Sequence, residues 1–382
     1  MNTLPTLLFY LFYMLSVIIS YRIKWKKINW FAVVSFTLLL GLRGNGIDYH
    51  AYSGQFDYLY SLNYGLFDEN FFNVEYLYSK QNFEFGYLIV LKLCKLFSLN
   101  NIFFFSSIAF AQMFFLDKFI RRFDDNRIKQ FLVFFFFTTL MFVESFNVMR
   151  QLLAILIFIN LIEYIEKRDL KRYLIYCGLL YFIHSSSFIL IPLYFIINKD
   201  YLEKPLLQLL VYLCAVIFAN IFINKILQSF DYLYAILAGI DMRVVGYLNT
   251  ESEVTRSTDF QTTKYTTEVF RFFTVCFFIY NSKLYKLQYG VWGTVLYNLT
   301  FIGFIIQEFI FGISLQRLNY YFYYCSFAVL SLMCFMNIVE HKNGKFGIAF
   351  SYSVMLLYLL WFINSVFLGA AECAPYEFSK LL

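Results

Sequence analysis

The stretch that decides the fold is Leu4-Pro-Thr-Leu-Leu-Phe-Tyr-Leu-Phe-Tyr-Met-Leu-Ser-Val-Ile-Ile-Ser-Tyr21, an uncharged run followed by the basic cluster Arg22-Ile-Lys-Trp-Lys-Lys27. An apolar run of this length spans a bilayer as a helix, and similar runs recur along the chain. Of the 382 residues, 60% are hydrophobic and 15% are charged. The sequence therefore predicts an all-α, polytopic integral membrane protein, a single transmembrane domain over residues 1–382 with about 10–12 transmembrane helices.

The basic cluster also predicts the orientation of the chain. Cytoplasmic loops carry an excess of Lys and Arg, whereas a cleaved signal peptide carries its charges first. We therefore expect an uncleaved first helix with its N terminus outside, so that the second run, about 28–42, brings Arg43 to the outer face. Long outer loops are expected at about 43–84 and 227–267. Basic cytoplasmic loops explain the net charge of +6 without a nucleic acid partner.

Two segments break the alternation of sides. If residues 85–99 and 173–197 each crossed the membrane once, the loops that follow them would lie on the wrong side. The second segment has His184-Ser-Ser-Ser187 at its centre. Irregular backbone is tolerated at membrane depth only where protein or a water-filled cavity satisfies its polar groups. We expect some helices to be re-entrant or broken beside a polar cavity. An alternative topology turns residues 100–172 over as a block.

The pattern of Cys and His favours neither a disulfide framework nor a metal site. The seven cysteines lie mostly in apolar runs without C-x-x-C spacing, and the three histidines form no H-E-x-x-H pattern. Walker and Rossmann nucleotide motifs are also absent from the sequence. We therefore predict no metal and no cofactor.

Charged residues within or beside the apolar runs are the candidate functional residues, because each costs about 2.5–3.5 kcal/mol inside a span. The predicted topology brings six of them to the outer half of the membrane: Arg43, Asp48, Glu84, Arg150, His184 and Arg317. Spacings of three predict that Glu144, Asn147 and Arg150 share one helix face. Guanidinium groups of this kind suit a lipid-linked diphosphate. The alternatives are an internal Glu–Arg contact, a hydrogen-bonded core His and a snorkelling Arg317.

Five short motifs occur in order between about residues 40 and 325. They are Arg43-Gly-x-Gly-x-Asp48-Tyr-x-x-Tyr52-x-x-x-Phe56, Glu84-Phe-Gly-Tyr87, Asn147-x-x-Arg150-Gln151-x-x-Ala154, Phe182-x-His184-x-Ser186 and Arg317-x-x-x-Tyr321. This succession resembles the EpsG-like family of Wzy-type polysaccharide polymerases.

The resemblance implies a glycosyltransferase that polymerises undecaprenyl-diphosphate-linked oligosaccharide repeat units for O-antigen, capsule or exopolysaccharide. The growing glycan would move onto the next lipid-linked unit, and undecaprenyl diphosphate would leave. The location implied is the bacterial inner membrane, with the active site facing the periplasm or exterior. Membrane lipid and a chain-length regulator are the further partners implied.

Chemistry suggests a role for each candidate residue. The proposed catalytic residues are Arg150 and Arg317, which would stabilise the departing phosphate, and His184 or Glu84, which would accept the proton of the attacking hydroxyl. The proposed substrate-binding residues are Arg43, Asp48, Tyr52, Asn147, Gln151 and Tyr321. Asp48 is a further choice for the base.

Three other classes remain open at this stage. A flippase for the same lipid-linked oligosaccharide would also need cationic residues in a cavity, but no inverted repeat of short, broken segments is visible. A membrane acyltransferase could use a His in an apolar run. A glycosyltransferase with an acidic pair in its first outer loop is less favoured, because Asp48 and Asp57 are too far apart along the chain.

Overall fold

The computed structural model describes residues 3–21, 23, 28–61, 85–97, 100–123, 126–219, 258–310 and 316–379. Five helices in these ranges are long and apolar enough to cross a bilayer: Thr3–Ser20, Asn101–Phe123, Thr267–Phe309, Arg317–Ile338 and Gly344–Phe367. The pairing of Arg43 with Phe378 is an isolated antiparallel bridge, and the described ranges contain no sheet. The predicted all-α, polytopic membrane fold is confirmed, whereas the helix number stays a prediction.

The chain divides into two compact units, residues 1–194 with 355–382 and residues 195–354. The first unit contains α1 (Thr3–Ser20), α2 (Trp30–Gly41), α3 (Tyr49–Ser61), α4 (Phe85–Phe97), α5 (Asn101–Ile120), α6 (Arg127–Met141), α7 (Met149–Glu166) and α8 (Leu170–Ile183). The later helices are α9 (Leu193–Ile196), α10 (Pro205–Ala219), α11 (Thr258–Ile310), α12 (Gln316–Tyr323), α13 (Ser326–Ile338) and α14 (Gly344–Phe367). The single-domain organisation and the outer loops stay predictions.

Aromatic rings fill the core of the first unit. Phe142, which follows α6, has its ring centroid 5.0 Å from that of Tyr10 on α1, 6.4 Å from Phe36 on α2 and 6.2 Å from Phe362 on α14. Other apolar side chains of α1 point outward, and Phe12 is 69% exposed. An apolar exterior of this kind is what a helix needs to face lipid.

A buried carboxylate joins the α1–α2 turn to the end of α5. Asp117 is 1% exposed and accepts hydrogen bonds from the Tyr21 hydroxyl (2.9 Å) and the backbone N–H of Asn29 (3.2 Å). It also pairs with Arg121, whose Nε lies 2.8 Å from the carboxylate. This contact explains how a charged group is accommodated among apolar helices.

The predicted break in segment 173–197 is confirmed. α8 ends at the residue before His184, which is extended (φ −152°, ψ 114°), and 3₁₀ turns follow over Ser185–Leu190. Near the start of α8, the Tyr173 hydroxyl donates to the Leu190 carbonyl (2.6 Å), and the Tyr173 ring lies 5.3 Å from that of Tyr194. The chain therefore folds back along α8 and forms a hairpin with His184 at its tip.

The second unit contains a hairpin within α11. Gly290 has φ 57° and ψ −143°, a backbone conformation that only glycine adopts readily. The rings of Phe278 and Tyr297, on opposite sides of Gly290, stack with centroids 4.1 Å apart, so the chain reverses there. The sequence predicts two spans, 268–280 and 289–311, and the structure joins them by helix up to Gly290.

Candidate functional site

Arg150 lies in the first turn of α7 between two tyrosines. Its Nε donates to the Tyr52 hydroxyl on α3 at 2.9 Å. The guanidinium carbon lies 4.4 Å from the ring centroid of Tyr87 on α4 and 5.4 Å from that of Tyr52. Arg150 is half-buried, whereas both tyrosines are almost fully buried. Cation–π contacts and the hydrogen bond to Tyr52 therefore help to hold the guanidinium at the edge of the packed core.

Tyr52 and Tyr87 are fixed by a common aromatic cluster. Their ring centroids are 5.6 Å apart, and the Tyr87 ring lies 5.8 Å from that of Phe104 on α5. A Cβ on Gly86 would lie 2.4 Å from the Phe182 carbonyl oxygen, so only glycine allows α4 to approach the end of α8 this closely. The motif that contains Gly86 and Tyr87 thus serves helix packing as well as the site.

His184 is the next group at this end of the first unit. The preceding residue, Ile183, packs against the aromatic cluster that contains Tyr52 and Tyr87. The Nδ1 of His184 lies 2.6 Å from the Ser186 hydroxyl. Ile183 packs against the cluster that holds Arg150, and a shared site for Arg150 and His184 stays a prediction.

The single helix face expected for Glu144, Asn147 and Arg150 is wrong. Glu144 lies in a 3₁₀ turn over Val143–Phe146, Asn147 follows in a turn that belongs to neither helix, and α7 begins only at Met149. We call residues 143–149 the elbow. The Asn147 Oδ1 is buried without a hydrogen-bond partner among the described residues.

The N-cap residue of α7 does not cap the helix with its side chain. Val148 occupies the N-cap position and forms no capping hydrogen bond. The first backbone N–H groups of a helix carry partial positive charge, and Arg150 lies in this first turn. The helix terminus and the guanidinium of Arg150 therefore both contribute to a positive potential at the start of α7.

Arg43 is sealed inside the protein. It is 1% exposed, its Nη1 donates to the Ser145 carbonyl at 2.7 Å, and its guanidinium carbon lies 5.2 Å from the ring centroids of both Phe105 and Phe146. Burial lowers the pKa of Arg43 to about 10, while nearby Tyr10 and other groups raise it, so Arg43 stays charged at neutral pH. This arrangement supports the elbow, and a direct contact with substrate stays a prediction.

The other predicted residues of the first unit lie close by in the chain. Asp48 is half-buried in the turn before α3 and is near enough to raise the pKa of Arg43. Gln151 follows Arg150 on α7 and is 1% exposed. Glu84 lies outside the described residues. Substrate binding by Asp48, Tyr52, Asn147 and Gln151 stays a prediction.

Arg317 and Tyr321 lie in the second unit, on α12. Arg317 is half-buried and Tyr321 is fully buried. The Tyr321 carbonyl accepts a hydrogen bond from the Cys325 Sγ at 3.2 Å. Their convergence with Arg150 and His184 stays a prediction.

Sequence reasoning missed a buried ion pair in the second unit. Arg271 and Glu308, 1% and 5% exposed, face each other across the α11 hairpin with Nε and Oε1 3.5 Å apart. The Tyr212 hydroxyl donates to the Glu308 carboxylate at 2.9 Å. The sequence does indicate such a pair, because Arg271 lies in one apolar run and Glu308 lies in the next. Either charge would be too costly to bury alone.

Metal-binding groups are not evident in the part of the chain that the structure describes. No cluster of three or more His, Cys, Asp or Glu side chains there could hold a metal ion. The cysteines form no disulfide, and most are buried.

These features define a multi-pass helical membrane protein in which Arg150 lies between Tyr52 and Tyr87 at the start of α7. A family model described as EpsG family matches residues 26–378. The chain belongs to the EpsG family, as the succession of motifs indicated, and at the level of the family it is a membrane protein of the polysaccharide-polymerase type. No curated protein and no solved structure matches the chain.

Proposed function

We propose that this protein polymerises undecaprenyl-diphosphate-linked oligosaccharide repeat units at the outer face of the inner membrane. It acts as a glycosyltransferase that moves the growing glycan onto the next lipid-linked unit. The observation that carries the proposal is the position of Arg150, half-buried between Tyr52 and Tyr87 in the first turn of α7. Membership of the EpsG family supports the reaction class.

Each part of this arrangement suits one part of a lipid-diphosphate sugar. A guanidinium binds phosphate oxygens in a bidentate manner, and the N terminus of α7 adds backbone N–H donors. Negative charge grows on the diphosphate as the glycosidic bond breaks, so a fixed cation there stabilises the transition state. Tyrosine rings offer apolar faces and hydroxyl groups for sugars.

The attacking sugar hydroxyl must also lose its proton. His184 is the candidate base, because it lies at the tip of the hairpin and the residue before it, Ile183, packs against the aromatic cluster. If Ser186 accepts a hydrogen bond from Nδ1–H, Nε2 is left as the acceptor that a general base requires. Arg317 is the second candidate for binding the departing phosphate, on the strength of its motif.

The test compares Arg150→Ala and Arg150→Lys in a strain that lacks the native gene. We expect Arg150→Ala to reduce long polysaccharide by more than about 100-fold, because one transition-state cation contributes roughly 3–4 kcal/mol. Arg150→Lys should recover only a small part, since an ammonium cannot bind in a bidentate manner. Exposed Arg172, whose side chain is 68% accessible, provides the control Arg172→Ala, which should behave as wild type.

The outcome is measured on a polysaccharide gel with the membrane level of each variant. Single repeat units that persist without long chains agree with a lost polymerase. Long chains in Arg150→Ala at normal protein level would contradict the proposal. Loss of the single units as well would point to a flippase, and unchanged length with altered decoration would point to an acyltransferase.

A further inference from the structure

The segment 369–379 lies against the loop 42–48, and we call it the C-terminal clamp. Backbone hydrogen bonds join the two segments: Gly44 N–H to the Glu377 carbonyl (2.7 Å), Ser379 N–H to the Leu42 carbonyl (2.9 Å) and Ile47 N–H to the Ala371 carbonyl (3.3 Å). Arg43 pairs with Phe378 in an antiparallel bridge. The backbone on both sides of Arg43 is therefore held by the clamp.

Side chains strengthen the same contact. Three of them donate to backbone carbonyls: Asn45 Nδ2 to Glu372 (2.7 Å) and Pro375 (2.9 Å), Tyr10 Oη to Cys373 (2.6 Å) and Tyr376 Oη to Leu39 (2.7 Å). These donors come from the first helix, the Arg43 loop and the clamp itself. The clamp thus connects three parts of the first unit.

Backbone strain and close approach indicate that the clamp is held firmly. Ala371 and Glu372 have φ values of 55° and 54°, a left-handed conformation that is costly outside glycine. Their carbonyls are the acceptors for Ile47 and Asn45 of the Arg43 loop. A Cβ on Gly44 would lie 2.6 Å from the Phe378 carbonyl oxygen, so the two backbones nearly touch.

Arg43 and its loop connect the clamp to the elbow, which precedes Arg150 in the chain. The Arg43 guanidinium donates to the Ser145 carbonyl within the elbow, and its Nη2 lies 3.5 Å from the Met149 sulfur. A Cβ on Gly46 would lie 2.5 Å from the Phe146 carbonyl oxygen, which brings the loop directly onto the elbow. The elbow ends where α7 begins, one residue before Arg150.

We propose that the C-terminal clamp is a positioning element of the candidate site. It fixes the Arg43 loop, and the Arg43 guanidinium then fixes the elbow from which Arg150 projects. The family match extends to residue 378 and so includes almost the whole clamp. The polymer readout of this inference rests on the proposed function, whereas its structural readout does not.

The structural arm is a cross-linking experiment in native membranes. Ile47 and Glu372 are exposed, and the Ile47 N–H bonds the carbonyl of the residue before Glu372. Ile47→Cys with Glu372→Cys, in a background with the exposed Cys214→Ser, should cross-link through a short bifunctional maleimide. A protease site within residues 227–267 reveals the link, because the two fragments then stay together, and each single-cysteine variant is the control.

The functional arm loosens the clamp without cutting the chain. The triple variant Tyr10→Phe, Asn45→Asp and Tyr376→Phe removes the side-chain donors and keeps the ring packing. We expect at least about a tenfold loss of long polysaccharide at normal membrane level, because a small displacement of a positioned group has a large effect on rate. Tyr21→Phe, which removes the bond to Asp117, is the matched control and should retain the polymer.

Rescue separates positioning from a general structural role. Cross-linking Ile47→Cys to Glu372→Cys in the triple variant should restore at least half of the polymer. The proposal is overturned if the cross-link does not form, if the triple variant polymerises normally, or if the cross-link forms and restores nothing. If Arg150→Ala keeps its polymer, the proposed function fails while the cross-linking result stands.

Discussion

Arg150 and Arg271 both lie in apolar helices, yet their surroundings differ. Arg271 is 1% exposed and is paired with Glu308, which the Tyr212 hydroxyl also binds. Arg150 is half-buried, and tyrosine rings and a hydroxyl surround it at the start of a helix. The first environment buries an ion pair almost completely, whereas the second holds a partly exposed guanidinium among tyrosines.

The cost of burying a charge therefore does not by itself identify a functional arginine. Both residues are expensive in a membrane, so both would be selected by a search for charges in apolar runs. What separates them is burial: Arg271 is 1% exposed and pairs with Glu308, whereas Arg150 is half-buried between two tyrosine rings. We therefore expect changes at Glu308 to affect folding and changes around Arg150 to affect polymerisation.

The largest expected effect is that of Glu308→Ala. Removing one partner of a buried ion pair leaves an uncompensated charge and costs about 3–5 kcal/mol. The amount of folded protein in the membrane should fall sharply, and thermal unfolding of any purified variant should occur at lower temperature.

The paired variant Arg271→Met with Glu308→Leu is the control for this prediction. Apolar replacements of similar volume remove both charges, so stability should return to near the wild-type value. A stable Glu308→Ala variant that has lost only the polymer would remove the contrast and make Glu308 a functional residue.

Gly86→Ala should have the next largest effect. Its Cβ would meet the Phe182 carbonyl oxygen at 2.4 Å, so α4 must shift away from the end of α8. Overpacking of this kind costs about 1–3 kcal/mol. Because Tyr87 is the next residue, we expect polymer to fall about tenfold. Gly178→Ala on α8, where nothing lies within 4 Å, is the control and should be tolerated.

Tyr52→Phe should have the smallest effect. It keeps the ring beside Arg150 and removes the hydroxyl that accepts from Nε at 2.9 Å. A hydrogen bond to a charged group contributes about 1.5–3 kcal/mol, part of which water can replace, so polymer should fall severalfold on a gel. Tyr52→Leu, which also removes the ring, should be clearly worse. Equal polymer in both variants would show that Tyr52 is not part of the site.

Much of the fold follows from patterns that extend along whole helices. The apolar runs predict most helices, and the wrong parity of 173–197 correctly predicts the break at His184, because both effects are local in sequence. The helix Tyr49–Ser61 is missed, since its sequence is mixed and lies in a predicted loop. The sequence predicts a loop between residues 280 and 289, whereas the chain reverses later, at Gly290. The helix continues through the basic residues of the predicted loop.

The site is predictable only in part. Arg150 and His184 stand out because a charged or ionisable group is rare in an apolar run. The spacing of Glu144 and Asn147 misleads, since the chain leaves the helix at the elbow. The C-terminal clamp has no sequence signal, because most of its bonds join backbone groups far apart in the chain.

The binding of undecaprenyl diphosphate to the purified protein in nanodiscs tests the role of Arg150 without relying on polymerisation. Wild type and Arg172→Ala should bind the diphosphate equally well, and Arg150→Ala should bind it at least about tenfold more weakly, as expected for a lost charged contact. Undecaprenyl monophosphate should show a smaller difference. Equal affinity of wild type and folded Arg150→Ala for the diphosphate would contradict the account.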